Sequence, residues 1–226
     1  MTHSVATAAI ADAALRLGVP VLTAPPGLRW LEPPIPFDGP ARPVTHLGSV
    51  DVILAAIDDA EPGDVLVIDN GGRRDEAAIG DLLTLEARAA GLGGIVLWGL
   101  HRDSAQLREI GLPVASLGGF PYGPRRVPPA GSRMPTASLD GAIVTEQHHV
   151  FADSDGVLIA RAEDVAALVE TARAIAATES AQAERMRGGA SLREQLDFAG
   201  FRAHQAEDPT LTFRRYLAER GGAIEV

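Results

Sequence analysis

DVLVIDNGGRRDEAAIGDLLTLEARAAGLGGIVLWGLHRD, residues 64–103, decides how this chain folds. Val65 to Ile68 is a short apolar run rich in β-branched residues, which reads as a buried strand. A loop, Asn70–Ala77, follows. Residues 78–90 place Ile79, Leu82, Leu83 and Ala90 near one face of a helix, and Gly91 ends it. Ile95–Trp98 is the next strand, and it delivers His101-Arg102-Asp103 at its end. Residues 104–110 form a short helix, and 114–116 a short strand. A β-loop-α-β-loop-α order argues for an α/β domain with parallel pairing. The charged pair at the end of a buried strand has two readings: a helix cap with a surface ion pair, or an active site.

Upstream, residues 4–17 form an Ala-rich helix with Ser4 as its N-cap. Residues 20–49 are rich in Pro and Gly and read as irregular, with at most short strands such as 21–23. So long a segment suits an arm packed on another subunit. Residues 50–60 form a helix closed by Pro62-Gly63. Downstream, 118–136 is again Pro- and Gly-rich. Residues 142–145 and 148–152 read as paired strands, with 157–160 a third. A long helix spans 162–187, and two more helical patterns lie near 191–198 and 209–220. The expectation is one domain over 1–226, with an N-terminal helix and arm (1–45), a core (40–160) and C-terminal helices (161–226).

Composition narrows the function. With 20 Lys+Arg against 30 Asp+Glu the net charge is −10, which disfavours general binding to nucleic-acid backbones. There is no cysteine, which excludes disulfides, thiolate nucleophiles and Cys-ligated zinc or iron–sulfur sites. No stretch approaches 18 uninterrupted apolar residues, and the start lacks a basic region followed by an apolar block, so a cytoplasmic chain with no membrane partner is expected. No Walker lysine and no GxGxxG follow the strands, so nucleotide binding is disfavoured.

Three features carry candidate chemistry. Asn70-Gly71-Gly72 and Gly80-Asp81 bracket the loop and helix start after a buried strand, where backbone amides can bind an anion, or where glycine simply serves a tight turn. Asp81 suits the first turn of a helix on its own. Adjacent parallel strands, however, would present Asp81 and Arg102-Asp103 at one sheet edge, where α/β folds place their sites. One carboxylate can hold a hard divalent cation that keeps several waters, an arginine can grip a carboxylate or a developing enolate, and the second carboxylate can move a proton. Arg73-Arg74 is either a grip for an acidic substrate tail or a solvated loop tip. His148-His149 lies in a strand, where neighbours face opposite ways, which favours a structural reading. His3, His46 and His204 read as ordinary surface or arm residues. His101 reads as a loop histidine or a group supporting the pair, and Ser104 has no evident base in the local sequence.

These residues, with REIGLPVAS (108–116), DSDGVLIARAEDV (153–165) and MRGGASLREQLDF (186–198), resemble the family that joins 4-hydroxy-4-methyl-2-oxoglutarate aldolases to the regulator of ribonuclease activity A. The shared signature is an Asp, twenty residues, then Arg-Asp: here Asp81 and Arg102-Asp103. The resemblance runs from about residue 40 to the end, more weakly over 118–150. It implies a layered α/β domain of the swivelling β/β/α kind with extra C-terminal helices, assembled as a homotrimer or homohexamer with sites at subunit interfaces. It further implies that Asp103 ligates Mg²⁺ or Mn²⁺, that Arg102 binds the oxo-acid oxygens and steadies an enolate, and that Asp81 holds a water for proton transfer. The amides around Gly80, Asp81, Leu82 and Leu83 would receive the substrate carboxylate. The implied reaction is class II lyase chemistry on a small 2-oxo acid: aldol cleavage of a 4-hydroxy-2-oxo diacid, decarboxylation of oxaloacetate, or both, through a pyruvate enolate.

The chain departs from the pattern at four places, one of them Arg73-Arg74 in the loop. Gln106 stands where the aldolases often carry an acid three residues after the metal Asp, so it brings no charge. Glu184 or Glu194 of a neighbouring subunit is a conceivable substitute. His101 stands where a small apolar residue is common, and the stretch around His148-His149 replaces a usual Gly-Asp. The alternative implied function is a non-enzymatic regulator that binds a ribonuclease. Such regulators tend to lose the metal Asp, whereas Asp81, Arg102 and Asp103 are all present here. A glycine-rich loop for methyl transfer from S-adenosylmethionine is absent from the sequence.

Overall fold

The computed structural model of the chain describes residues 5–31, 33–126 and 134–220. In chain order the elements are α1 (Thr7–Leu17), β1 (Leu22–Thr23), β2 (Arg29–Trp30), β3 (Phe37–Thr45), α2 (Asp51–Asp58), β4 (Val65–Asp69), β5 (Ala77–Ile79), α3 (Asp81–Ala89), β6 (Gly94–Trp98) and β7 (Leu100–His101). Then come α4 (Ser104–Ile110), β8 (Val114–Ser116), β9 (Ala137–Leu139), β10 (Ala142–Val144), β11 (His148–Asp153), β12 (Gly156–Arg161), α5 (Val165–Arg187), α6 (Leu192–Gln195), α7 (Phe198–Glu207) and α8 (Phe213–Ala218). The chain divides into two compact units, Met1–Ala8 with Pro20–Val165, and Ala9–Val19 with Ala166–Val226.

The first unit is a mixed α/β fold built on a curled eight-stranded sheet of order β1-β12-β11-β3-β4-β6-β8-β2. Its middle is parallel: β3 pairs β4, β4 pairs β6 and β6 pairs β8. The antiparallel strands β11 and β12 continue the sheet on one side. Alternation along β4 makes the layers. Leu66 and Ile68 pack with Val52, Ile53, Ala56 and Ile57 of α2, Leu83 and Ala87 of α3 and Leu107 of α4. Val65 and Val67 face the other way, into a cluster with Leu139, Val144, Val150 and Ile159 supplied by β strands. The result is helices on one face and β structure on the other, with both faces buried as parallel strands require.

The second unit is helical. Its last helices build a small aromatic core, with Phe201 4.8 Å from Phe213 and 5.6 Å from Tyr216 between ring centroids. Asp197 opens α7 and accepts the Tyr216 hydroxyl at 2.6 Å. No helix among the described residues is long and apolar enough to cross a membrane.

Four expectations change. The Pro- and Gly-rich run 20–49 is not wholly irregular, because it contains β3, a nine-residue strand in the middle of the sheet. The helix expected from 78 begins at Asp81, and 77–79 is instead a short strand. β10 pairs with β9, while β11 pairs with β12 and β3, so 142–145 and 148–152 are not partners. The C-terminal patterns resolve into three helices rather than two.

Candidate active site

Two short strands that the sequence does not announce bring the signature together. β5 lies parallel to β7, with Ala77 opposite Leu100 and Ile79 opposite His101. The Arg102 amide donates to the Ile79 carbonyl at 3.0 Å. Chain positions about twenty residues apart are thereby clamped side by side, and Gly80-Asp81 meets Arg102-Asp103. The larger strands agree with this placement, since β4 and β6 are parallel neighbours in register and both loops leave the same edge.

Asp103 occupies the N-cap position of α4 but its side chain makes no capping bond. Its backbone sits in the left-handed region, at φ 59° and ψ 40°, a conformation that Asp tolerates better than most residues but still at a cost. The carboxylate turns away from its own helix. Its Oδ2 accepts the Asp81 amide at 3.3 Å and lies 3.2 Å from Arg102 Nε. The side chains stay partly open, Arg102 at 48% and Asp103 at 34% exposure. The cap reading of Asp103 is thus replaced by a contact across to the second loop.

Gly80 is required by this contact. A Cβ there would stand 2.5 Å from Asp103 Oδ2 and 3.0 Å from Arg102 Nε, so any side chain would push the pair apart. Asp81 begins α3 and its Oδ1 accepts the Leu82 amide at 2.8 Å. Of the amides expected to receive an anion, those of Asp81 and Leu82 are therefore engaged by the protein's own carboxylates. Leu82 is 76% exposed and lines the cavity from its open side.

Two cavities open on Arg102. One, of about 260 Å³, is lined by Val50, Ile79, Gly80, Leu83, Arg102 and Pro124 among others and is mostly apolar. The other, of about 320 Å³, is lined by Arg102, Asp103, Ser104, Gly119, Phe120 and Pro121. Gln106 is exposed on α4, three positions after Asp103.

His101 is not a surface loop residue. It is buried, with Nδ1 2.7 Å from Ser116 Oγ and Nε2 2.9 Å from Ser104 Oγ. Burial, and then the charge of Arg108, hold its pKa below the usual histidine value, so it is neutral at pH 7. Ser104 therefore does have a histidine partner, one that short-range reading of the sequence overlooked. The i, i+3 spacing over the first turn of α4 was the available signal.

His46 is the largest correction. It is 1% exposed, just past the end of β3, and its Nδ1 is 2.8 Å from Asn70 Oδ1. Arg126 Nη2 donates to the same Asn70 oxygen at 3.0 Å and its Nε donates to Glu76 Oε1 at 3.0 Å. Glu76 is 3% exposed. Burial pushes its carboxyl up, but the bonds and charge of Arg126, with Arg73, outweigh that and hold it below the usual carboxylate range. None of Asn70, Glu76 and Arg126 was singled out from the sequence as part of a buried network. Gly71 and Gly72 both have positive φ, 64° and 63°, which is the tight-turn reading of that loop. Arg73 is partnered by Asp75 at 2.6 Å and by Glu76 at 3.3 Å.

The remaining histidines behave structurally. His148 Nδ1 accepts the Thr145 amide at 3.0 Å, and His149 Nε2 is 3.3 Å from Asp38. His204 Nδ1 lies 2.8 Å from the Gly200 carbonyl. His3, and Ser4 with its expected cap, lie outside the described residues. Glu194 is used in its own capping box with Ser191, and Glu184 pairs with Arg187 at 2.7 Å.

The RraA-like family, described as Aldolase/RraA, matches residues 7–159, more than half of the chain. A protein of Paraburkholderia phytofirmans named "Putative 4-hydroxy-4-methyl-2-oxoglutarate aldolase" is 35% identical over 126 residues, covering 56% of this chain and 76% of that protein. The crystal structure of an uncharacterized protein from Pseudomonas syringae superposes with a TM-score of 0.72 at 26% identity, over 85% of this chain and 92% of that one. Streptomyces coelicolor RraAS2, titled an unusual member of the RNase ES inhibitor RraA protein family, shares the fold with a TM-score of 0.65 at 23% identity, over 82% and 92% of the two chains. With the family match spanning the sheet, both loops of the signature and the strands beyond them, the chain belongs to the RraA-like (Aldolase/RraA) family.

Proposed function

We propose that the chain is a divalent-metal-dependent lyase that cleaves a C–C bond of a small 2-oxo acid, by aldol cleavage of a 4-hydroxy-2-oxo diacid, decarboxylation of oxaloacetate, or both. The observation that carries this reading is the meeting of Gly80, Asp81, Arg102 and Asp103 around an open pocket. The sequence adds support. All 20 basic residues are arginine, so no lysine of these 226 residues can form the Schiff base that a metal-free aldolase uses.

The donor set fits Mg²⁺ or Mn²⁺. Among the described residues no group of three or more His, Asp or Glu side chains could cage an ion, which is wrong for zinc. One carboxylate with waters is what Mg²⁺ commonly accepts. Both described contacts of Asp103 fall on Oδ2, which leaves Oδ1 for a cation. When bound there, the ion supplies Lewis acidity to the oxygens of the oxo acid.

The chain's own groups do the rest. Arg102, half exposed between two cavities, is placed to balance negative charge as it develops on the substrate's C2 oxygen. The amides of Asp81, Leu82 and Leu83 offer the substrate carboxylate a helix N-terminus, where it competes with Asp103 Oδ2 and Asp81 Oδ1. Once displaced, the Asp81 carboxylate is free to hold a water for proton transfer. Gln106 accepts a hydrogen bond from that water shell without adding charge. Exposed Val50 and Leu82 line the cavity beside Arg102, which supports a homotrimer or homohexamer that covers it.

Pyruvate release from oxaloacetate and from 4-hydroxy-4-methyl-2-oxoglutarate, with Mg²⁺ and then with chelator, tests the reading. Metal-dependent release from either substrate is expected. Chelator-insensitive rates, or no turnover of any oxo acid, would sink it, and a monomer by light scattering would remove the interface.

A further inference from the structure

The segment 119–126 crosses the site like a strap, and it is fastened at both ends. At its start, the Phe120 amide donates to the His101 carbonyl at 2.7 Å. In its middle, the Tyr122 carbonyl accepts the Ala77 amide at 2.7 Å, tying the strap to the strand that leads to Gly80. Gly123 then passes over Arg102 so closely that a Cβ there would lie 3.1 Å from Arg102 Nη1. Pro124 forms part of the wall of the cavity shared with Gly80 and Arg102. At its far end Arg126 reaches down through Glu76 and Asn70 into the buried network.

We propose that Arg126 and Glu76 are positioning residues, a latch that holds the strap against Arg102 and so fixes the guanidinium beside Asp103. The proposal rests on the lyase reading for its consequence in turnover, but the latch itself is a property of the chain. Arg102 needs such help. Its side chain is long and half exposed, and its one described charged partner is the neighbouring Asp103. Freezing a side chain of that length costs conformational entropy, and a wall laid along one edge reduces the freedom to be lost. Glu76 is suited to the task because its carboxylate is almost fully buried and directed at an arginine fork. Asn70 and His46 extend the anchor to the ends of β4 and β3, so the strap is tied to the rigid middle of the sheet. Arg73, also against Glu76, adds a third cation-to-carboxylate contact on the loop side.

The two amides that fasten the strap report on it directly. Hydrogen exchange at Ala77 and Phe120 is measured in wild type, Arg126→Gln, Arg126→Lys and the paired Glu76→Gln/Arg126→Gln variant. The paired variant removes both charges together and so leaves no buried carboxylate without its arginine, which guards against simple unfolding. Exchange at Ala77 and Phe120 should rise about tenfold or more beyond any rise at the amides of β4 and β6, which report global stability, in Arg126→Gln and in the pair. Arg126→Lys, which reaches Glu76 but cannot bridge to Asn70 as well, should recover part of the protection. In the same samples, Mg²⁺-dependent pyruvate release from oxaloacetate should show kcat lowered about tenfold with KM changed less, because the charge that Arg102 balances develops only in the reaction. Wild-type protection of both amides in Arg126→Gln overturns the latch. So does an equal rise across the sheet, which marks a framework residue only, and so does loosened exchange with kcat unmoved in an active enzyme. If wild type itself releases no pyruvate, the lyase reading fails, and the exchange pattern alone decides whether the strap is latched.

Discussion

Two groups of polar side chains stand where the middle strands of the sheet end, and they have opposite fates. His46, Asn70, Glu76 and Arg126 are bonded to one another, the first three buried and Arg126 about a third exposed. Arg102 and Asp103 sit a short way along the same edge, with one contact between them and with open space on both sides. The residue types are similar, so type alone does not identify the site. Burial does: a buried carboxylate must be matched by protein donors, while a half-open one can exchange its partner for a cation or a substrate.

Removing one member of the buried group should hurt the fold most. Glu76→Ala removes a buried carboxylate that takes two hydrogen bonds from Arg126, itself about a third exposed, and is expected to cost about 2 kcal/mol of stability, read by urea denaturation. A loss like that of an exposed pair would dissolve the distinction between the two groups. The converse substitution is Gly80→Ala. It should leave the denaturation midpoint nearly unchanged yet slow pyruvate release about 100-fold, since its Cβ displaces Asp103 and Arg102. Activity near wild type would show that their contact is incidental.

A smaller effect concerns pH. His46 and His101 are both held below the usual histidine value, chiefly by burial. Below about pH 6.5 the unfolded chain takes up protons at these positions that the folded chain resists, so the folded state loses stability as pH falls. The melting temperature should therefore decline from pH 7 to pH 5, and His101→Asn should flatten part of that decline. A flat wild-type profile would contradict buried neutral histidines. Smallest of all is Arg73→Ala. Its partially exposed ion pairs should be worth less than about 1 kcal/mol, and a larger loss by denaturation would move Arg73 into the buried group.

Much of the placement of the candidate site was legible because it rests on short-range order. The apolar run of β4, the periodicity of α3 and the run of β6 fix where the two loops emerge, and Asp81 with Arg102-Asp103 follows from that. β3 was not legible, because Pro40 and Pro43 argue against a central strand. The structure shows how they are admitted. Residues 37–40 pair with β11 and residues 41–45 with β4, so each half of the strand has a ladder on one side only. Missing β3 meant reading His46 as part of an arm, and hence missing the network it anchors. The inward positions of β3, Phe37, Gly39 and Ala41, do alternate, but two of them are too small to stand out as a hydrophobic period. The cap, one of two readings the sequence left open for Asp103, fails for a related reason. Its position before α4 was right, but its left-handed backbone turns the carboxylate toward Asp81, and no local pattern records that turn.

The central claim is that Asp103 holds the ion that makes this site a lyase. Asp103→Asn keeps a residue type that tolerates the left-handed backbone and removes only the charge. Mn²⁺ binding by calorimetry and pyruvate release from oxaloacetate, measured on the same preparations with the melting temperature as a control, give the test. Wild type should bind one Mn²⁺ per chain, or per site at an interface, and turn over. Asp103→Asn should melt near the wild-type temperature and lose both binding and turnover. Metal-dependent turnover that persists in Asp103→Asn would contradict the claim outright.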